Sequence, residues 1–189
     1  MATPGLATLV QSIFKLTVIT AALVLCSGFE RAAFCQKRSA ALIEEGVAAL
    51  NRNETDAAKN SFNRALQDDP NNELAHTYLG IIADRGGNLI EAERHFRAAA
   101  KASPASPSAH NNYGVILVRL GKRDQAASEF QTSLRLNPAQ SGALVNLAQI
   151  RFASGTVDGL RDALELFESA LKIAPDAEIA RALVVISLR

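Results

Sequence analysis

Two of the three histidines, His76 and His110, lie 34 residues apart and have the side chain that most often binds metals or transfers protons. The third, His95, precedes Phe96 and is predicted to face solvent. A metal ion needs imidazoles that converge on one point. Equivalent side chains of stacked helices are separated by about 10 Å, roughly one helix diameter. The spacing therefore favours packing roles for His76 and His110 and predicts no metal site.

The acidic residues give no sign of acid–base catalysis. Glu44 and Glu45 are neighbours in the chain, as are Asp68 and Asp69, and neighbouring residues on a helix point in different directions. General acid–base catalysis by a carboxyl pair needs both groups to converge on one substrate. The sequence also contains no glycine-rich phosphate loop, no metal-binding pair on a helix and no nucleophile motif. It predicts a protein that is not an enzyme and needs no cofactor.

The overall composition excludes several other classes of protein. The 189 residues include 20 basic and 19 acidic side chains, and this balance argues against nucleic-acid binding. Hydrophobic residues make up 48% of the chain, which is enough for a buried core. Few aromatic residues and abundant alanine favour packed helices. Two cysteines cannot supply a disulfide framework or a four-ligand zinc site.

The N-terminal segment has the pattern of a secretory signal. The run from Leu16 to Gly28 carries no charge, and Lys15 precedes it. Spanning a bilayer needs about 20 apolar residues, a length that the run reaches only if Lys15 snorkels to the interface. We therefore expect residues 1–28 to be a cleaved signal peptide or, alternatively, a membrane anchor formed by residues 9–28.

This segment predicts an exported protein, either periplasmic or secreted, or else one held at the membrane. Cys26 invites a lipoprotein interpretation, but Leu25 stands where a small residue is expected before a lipidated cysteine. Cys35 is predicted to be an inert thiol, because nothing nearby in the sequence is placed to lower its pKa.

The remainder of the chain repeats itself every 34 residues. In the fourth unit three extra residues shift the pattern. The matching columns are Gly46, Gly80, Gly114 and Ala148; Ala58, Ala92, Ala126 and Ala163; Phe62, Phe96, Phe130 and Phe167; Ala65, Ala99, Ser133 and Ala170; and Pro70, Pro104, Pro138 and Pro175.

Each column has a physical role in a hairpin of two helices. The small residue of the glycine column lets the second helix approach, and the phenylalanine fills the space that remains. A turn residue that tolerates left-handed backbone ends the first helix, at Asn53, Gly87, Gly121 and Gly155. The proline ends the second helix. The insertion within residues 156–162 is predicted to lengthen the turn of the fourth hairpin.

Each hairpin has an apolar face that only the next hairpin can cover, so the units are expected to stack into an all-α solenoid. A linker is expected over residues 29–38 and a C-terminal capping helix over residues 178–189. The four predicted hairpins span residues 39–72, 73–106, 107–140 and 141–177.

These columns resemble those of the tetratricopeptide repeat family, over residues 39 to about 177. One departure is that the large aromatic residue expected early in each first helix is replaced by Leu42, His76, His110 and Leu144. This replacement is expected to loosen the packing between hairpins without changing the architecture.

The resemblance implies a concave surface, formed by the first helices, that binds a peptide or partner protein. An asparagine can bond the backbone of an extended peptide, and an arginine can pair with a carboxylate. Asn112 and Asn146 occupy a position where asparagine is common in the family, so a structural role stays equally open for them. The predicted groove residues are Thr77, Arg85, Asn111, Asn112, Arg119, Asn146 and Gln149.

Two functions remain open at this point. The first is an interaction scaffold outside the cytoplasm, such as a component of an envelope, secretion or pilus-assembly complex. The alternative is a structural protein that forms a homodimer through residues 178–189, since the stretch from Ala182 to Leu188 is apolar on more than one side. A terminal repeat normally presents a polar outer face, and an exposed apolar end can pair with a second copy.

Overall fold

The computed structural model describes residues 34–187, in which helices are joined by short turns. The predicted signal or anchor, with Cys26, lies outside the described residues. Residues 34–38, assigned above to a linker, are helical. The helices are α1 (34–51), α2 (Thr55–Asp68), α3 (Glu73–Arg85), α4 (Leu89–Ala102), α5 (Pro107–Arg119), α6 (Arg123–Leu136), α7 (Ser141–Ala153), α8 (Val157–Ile173) and α9 (Ala177–Ser187).

The helices pair into antiparallel hairpins, and the hairpins stack in chain order. Within the second to fourth hairpins α3 packs on α4, α5 on α6 and α7 on α8, while α2–α3, α4–α5 and α6–α7 contacts join one hairpin to the next. The first helices α3, α5 and α7 also contact their counterparts in neighbouring hairpins. The predicted all-α solenoid of stacked helix pairs is confirmed.

The glycine and phenylalanine columns meet as the sequence predicted. A Cβ atom added to Gly114 would lie 2.5 Å from a ring carbon of Phe130, and one added to Gly46 would lie 2.5 Å from the ring of Phe62. Both phenylalanine side chains are completely buried. At these two positions a Cβ atom would force the ring or the helix to move, so glycine and phenylalanine together set the distance between the two helices.

The turns within the hairpins use left-handed backbone at the expected residues. The φ angles are 61° at Asn53, 78° at Gly87, 75° at Gly121 and 67° at Gly155. Glycine adopts this region at no steric cost, which explains three of the four choices.

The prediction for the insertion in the fourth hairpin is wrong. The turn before α8 contains three residues, as do the turns before α4 and α6. The extra residues lengthen the helix instead, since α8 has 17 residues where α4 and α6 have 14. Three residues add almost one helical turn at the N-terminal end, so the face that carries Phe167 keeps its direction.

The C-terminal helix α9 covers the fourth hairpin. Ile179 and Ile186 are buried in a cluster with Leu144, Ala148 and Phe167. Val185 remains 48% exposed. The homodimer through residues 178–189 stays a prediction. Among residues 34–187, no helix combines the length and hydrophobicity needed to cross a membrane.

A buried carboxylate links the second and third hairpins. The side chain of Glu93 on α4 is 7% exposed and accepts hydrogen bonds from Lys122 Nζ, at 2.8 and 2.9 Å, and from Arg97. Arg97 Nε also donates to the hydroxyl of Tyr113 on α5, at 3.0 Å. The bonds from Lys122, with the other nearby cations, lower the pKa of Glu93 below its usual value. The network therefore fixes α4 against α5 and against the turn that precedes α6 in the following hairpin.

Replacing Glu93 with glutamine is expected to lower the free energy of unfolding by about 1.5–3 kcal/mol at neutral pH, the range for hydrogen bonds to charged groups. Because the folded-state pKa of Glu93 is depressed, its contribution is present above the unfolded pKa and disappears as the pH falls through the folded pKa. Urea unfolding across pH would show the difference shrinking in acid. The exposed Glu44→Gln is the control, and a difference that does not depend on pH would contradict the assignment.

Candidate functional site

The first helices α3, α5 and α7 form a continuous row, called here the inner face, which carries the predicted groove residues. Asn146 Nδ2 on α7 donates to Asn111 Oδ1 on α5 at 3.3 Å. Arg119 on α5 pairs with Asp84 on α3. The structure thus brings Asn111 and Asn146 together, and it shows that side chains of consecutive first helices bond across the row.

The two predicted arginines differ in their availability. Arg119 is already engaged by Asp84. Arg85 is exposed in the last turn of α3, and among residues 34–187 the structure shows no ion pair for it. Arg85 is therefore the better placed of the two to meet a carboxylate of a ligand.

The other predicted residues are spread along the inner face. Thr77 on α3 and Asn112 on α5 are half-buried, and Gln149 on α7 is exposed. Within the described part of the chain no hydrogen bond joins Thr77, Asn112 or Gln149 to another predicted groove residue. They form an extended surface with separate polar positions, in contrast to the bonded pair of Asn111 and Asn146.

A cavity of about 520 Å³ opens at the C-terminal end of the inner face, between α7 and α9. Its size is within the range of about 300–1,000 Å³ that is usual for ligand pockets. The predicted residues Asn146 and Gln149 line it, together with the apolar side chains of Val145, Phe152, Ile179 and Val185. We call this cavity the α7–α9 pocket.

The side chains of α9 that line the α7–α9 pocket were not predicted as part of a binding site. The sequence predicts a capping helix over residues 178–189 and, as an alternative function, a homodimer through the same residues, but it predicts no pocket beside them. Their spacing is consistent with either role, because the hydrophobic pattern of a helix does not reveal which surface covers it. Ile179 and Ile186 pack on the fourth hairpin, whereas Val185 remains exposed and lines the pocket, and the homodimer through α9 stays a prediction.

Gly142, at the start of α7, lines the pocket and adds no side chain to it. A Cβ atom at this position would meet only the side-chain amide of Asn111, at 3.8 Å. That is an ordinary contact distance, unlike the close approaches at Gly46 and Gly114. The absence of a side chain at Gly142 is therefore not required by helix packing, and it leaves the pocket accessible.

The prediction that His95 faces solvent is wrong. The residue is only 3% exposed, and its Nδ1 lies 3.1 Å from Nδ1 of His76. His76 Nε2 lies 3.1 Å from the carbonyl oxygen of Pro70, and a guanidinium nitrogen of Arg94 lies 2.7 Å from His95 Nε2. Neutral imidazole can be buried if both nitrogens find partners, and both do here.

These contacts fix the tautomer of both rings. Arginine can only donate, so His95 Nε2 accepts and the proton of His95 is on Nδ1. His95 Nδ1 then donates to His76 Nδ1, and His76 Nε2 donates to Pro70. A proton added to either ring would set two donors against each other.

The environment lowers the pKa of both histidines. Burial is the main cause for each. The cations of Arg94 and Lys59, with His76, contribute further to bringing the pKa of His95 to about 4. Both imidazoles are therefore neutral at physiological pH.

The third hairpin has the same arrangement, in which a histidine of the first helix bonds a proline carbonyl and a side chain of the second helix, but Glu129 takes the place of His95. His110 Nε2 lies 3.1 Å from the carbonyl oxygen of Pro104, and His110 Nδ1 lies 2.7 Å from a carboxylate oxygen of Glu129. His76 and His110 thus each bond a side chain of their own hairpin and the carbonyl oxygen of the proline that ends the preceding hairpin, and they do not bond each other. Among residues 34–187, no group of three or more His, Cys, Asp or Glu side chains is arranged to hold a metal ion. The common spacing of 19 residues, from His76 to His95 and from His110 to Glu129, was the available sequence signal.

Comparison with known proteins matches the chain to a family model. The model for the tetratricopeptide repeat matches residues 43–107, 91–121 and 114–178. No curated protein matches the sequence.

Solved structures share the fold. PilF of Pseudomonas aeruginosa aligns with a TM-score of 0.72 at 22% identity, covering 82% of this chain and 69% of that chain. YrrB, described as having an unusual peptide-binding site, aligns with a TM-score of 0.63 at 22% identity and covers 85% and 87%. The first repeat domain of Spaghetti (RPAP3), bound to the HSP90 peptide SRMEEVD, aligns with a TM-score of 0.57 at 25% identity and covers 61% and 93%.

Proposed function

The chain belongs to the tetratricopeptide repeat family, and on that premise we propose that it is a non-catalytic scaffold that binds an extended peptide of a partner protein on its inner face. The family provides the general role, which is protein–protein interaction. The inner face of this chain supplies the particular surface, and the α7–α9 pocket supplies an anchoring point at one end.

The observation that carries the proposal is the position of Asn146 and Gln149 beside an apolar pocket. An extended peptide leaves its backbone N–H and C=O groups unpaired, and a side-chain amide can satisfy either kind. An apolar pocket next to such amides can bury one side chain of the same peptide. This combination of a few polar groups with an apolar cavity is typical of binding sites.

Two structural relatives support peptide binding as the mode of interaction. YrrB is described as a peptide-binding protein, and the RPAP3 domain holds a peptide that contains two glutamates and an aspartate. Family members that clamp a C-terminal carboxylate carry lysines as well as arginines at set groove positions, and the resemblance does not extend to the lysines. The first helices of this chain contain no lysine beyond Lys37, so a different ligand chemistry is expected.

We further propose that the scaffold acts outside the cytoplasm, within an envelope, secretion or pilus-assembly complex. Support comes from the uncharged run between Leu16 and Gly28, which follows Lys15. N-terminal sequencing of the protein recovered from its native cell is expected to begin after the apolar run. Recovery of the intact chain in the membrane fraction would indicate the anchor instead, and intact chain in the cytosol would contradict export.

The groove assignment is tested by the double variant Asn146→Ala/Gln149→Ala. Loss of two hydrogen bonds of about 0.5–1.5 kcal/mol each is expected to weaken peptide binding by about 5- to 150-fold. Fluorescence anisotropy with peptides selected by display on the wild-type chain would measure the change. The control is Asn60→Ala/Asn63→Ala, at exposed positions of α2. Equal affinity of the two double variants would contradict the assignment.

A further inference from the structure

The α7–α9 pocket combines an apolar interior with an acidic rim. Its interior includes the buried side chains of Phe167, Ile179 and Ile186. Asp176 and Glu178, both exposed, line the same cavity on the side where α9 begins. Arg181 is the one cationic side chain among the described residues that line it, so the rim keeps a net negative charge.

The charge of the rim agrees with that of its surroundings. Residues 141–189 contain six acidic and five basic side chains, whereas residues 34–140 contain 12 acidic and 13 basic ones. The excess of acidic side chains therefore lies in the part of the chain that holds the pocket. A concave site with one sign of charge attracts ligands of the opposite sign and repels those of the same sign.

We infer that the α7–α9 pocket binds an apolar side chain of an extended peptide and that a lysine or arginine of that peptide lies beside Asp176 and Glu178. This inference rests on the proposed function and specifies its ligand. The apolar interior accounts for the buried side chain, and the carboxylates account for the neighbouring cation. The amides of Asn146 and Gln149 bind the backbone between them.

An acidic ligand is a poor match for this end of the inner face. A carboxylate placed at the rim would face Asp176 and Glu178, and like charges brought together weaken binding. The ligand expected here is therefore opposite in charge to the acidic peptide held by the RPAP3 domain.

The experiment uses the full-length chain and a positional-scanning library of N-acetylated, C-amidated hexapeptides. The selected pools are expected to be enriched in a large apolar residue with lysine or arginine within two positions of it. The acidic peptide SRMEEVD serves as the negative probe. Binding should weaken as salt is raised, because the charges at the rim are exposed to solvent.

Two sets of variants separate the charge from the pocket. The first set is Asp176→Asn/Glu178→Gln, which removes both charges from the rim. In the wild-type chain Asp176 Oδ1 accepts a hydrogen bond from the backbone N–H of Glu178 at 2.6 Å, and an asparagine oxygen can accept the same bond, so the N-terminus of α9 is expected to be kept. We expect binding of the selected basic peptide to weaken about three- to tenfold at low ionic strength, as for exposed ion pairs. The matched control, Asp158→Asn/Glu168→Gln, removes two charges from exposed positions of α8 outside the pocket.

Gly142→Leu tests the pocket itself, since a Cβ there meets no clash and the equivalent residue of the second hairpin is Leu74. A leucine side chain at this position should take up space in the pocket and reduce peptide affinity more than tenfold. Burial of the peptide's apolar side chain is expected to contribute at least that factor to the affinity. Selection of apolar peptides without a neighbouring cation would overturn this inference and leave the proposed function intact. If no peptide pool binds at all, the proposed function fails with it.

Discussion

Replacing Phe130 with alanine is expected to lower the free energy of unfolding by about 3–5 kcal/mol, the usual cost of truncating a buried phenylalanine. The ring is completely buried and fills the space against Gly114, where a Cβ atom would lie 2.5 Å from it. The hairpin cannot close over this space without moving α5 towards α6. Each hairpin of a solenoid is also stabilised by its neighbours, so the loss spreads beyond the third hairpin.

Equilibrium unfolding in urea, followed by circular dichroism, measures this effect. Leu136→Ala on the same helix is the control, since Leu136 is 40% exposed. A loss below about 1 kcal/mol for Phe130→Ala, which is the range of surface substitutions, would contradict the packing of α5 on α6.

The glycine opposite Phe130 offers an independent test of the same contact. Gly114→Ala is expected to destabilise the chain by about 1–3 kcal/mol through overpacking, although alanine is otherwise the better helix former. Gly142→Ala places the same methyl group where the nearest atoms are 3.8 Å away, so it should be neutral or stabilising. Equal effects of the two substitutions would show that Gly114 does not set the helix distance.

Acidification from pH 7 to pH 4 is expected to cost the wild-type chain up to about 3 kcal/mol through the His76–His95 pair. Burial and the nearby cations lower the pKa of His95 to about 4 in the folded state, whereas an unfolded histidine titrates near 6.5. The unfolded chain therefore binds more protons between these two values. Stability falls as the pH drops through the unfolded pKa, and the loss is complete near the folded pKa.

The double variant His76→Leu/His95→Leu isolates this effect from that of the acidic residues. The fourth hairpin already uses leucine at both positions, as Leu144 and Leu166, so the substitution has a precedent within the chain. A single replacement would leave the remaining imidazole without its partner, which is why both are changed. The melting temperature, measured by thermal unfolding from pH 7 to pH 4, should fall less for the double variant than for the wild-type chain. Parallel curves for the two proteins would contradict a neutral buried pair.

The stack itself could be predicted almost entirely from local patterns in the sequence. Gly114 and Phe130 recur with their equivalents every 34 residues, and these two columns correspond to one contact between the two helices of a hairpin. The left-handed residues, such as Gly87 and Gly121, are likewise required by the turn in which they lie. Features of this kind depend on interactions within one repeat. Because the same residues recur in successive repeats, the pattern can be recognised from the sequence.

The candidate site was predicted only in part. Asn111 and Asn146 were placed on the inner face from their repeat positions, and the structure joins them. Arg119 was predicted to be available to a ligand but is bound to Asp84 of the preceding hairpin. A bond between hairpins depends on side chains that differ from repeat to repeat, and the shared pattern contains no information about them.

The sequence by itself determined the repeat, the hairpin and the identity of the first helices, because these follow from periodic constraints on backbone and core. Only the tertiary structure decided where the particular side chains end up. It buried His95 against His76, extended α8 instead of its turn, and closed α9 over the fourth hairpin to form the α7–α9 pocket. The burial of His95 and the formation of the pocket depend on contacts between side chains that differ from repeat to repeat, and the shared columns of the sequence do not identify such contacts.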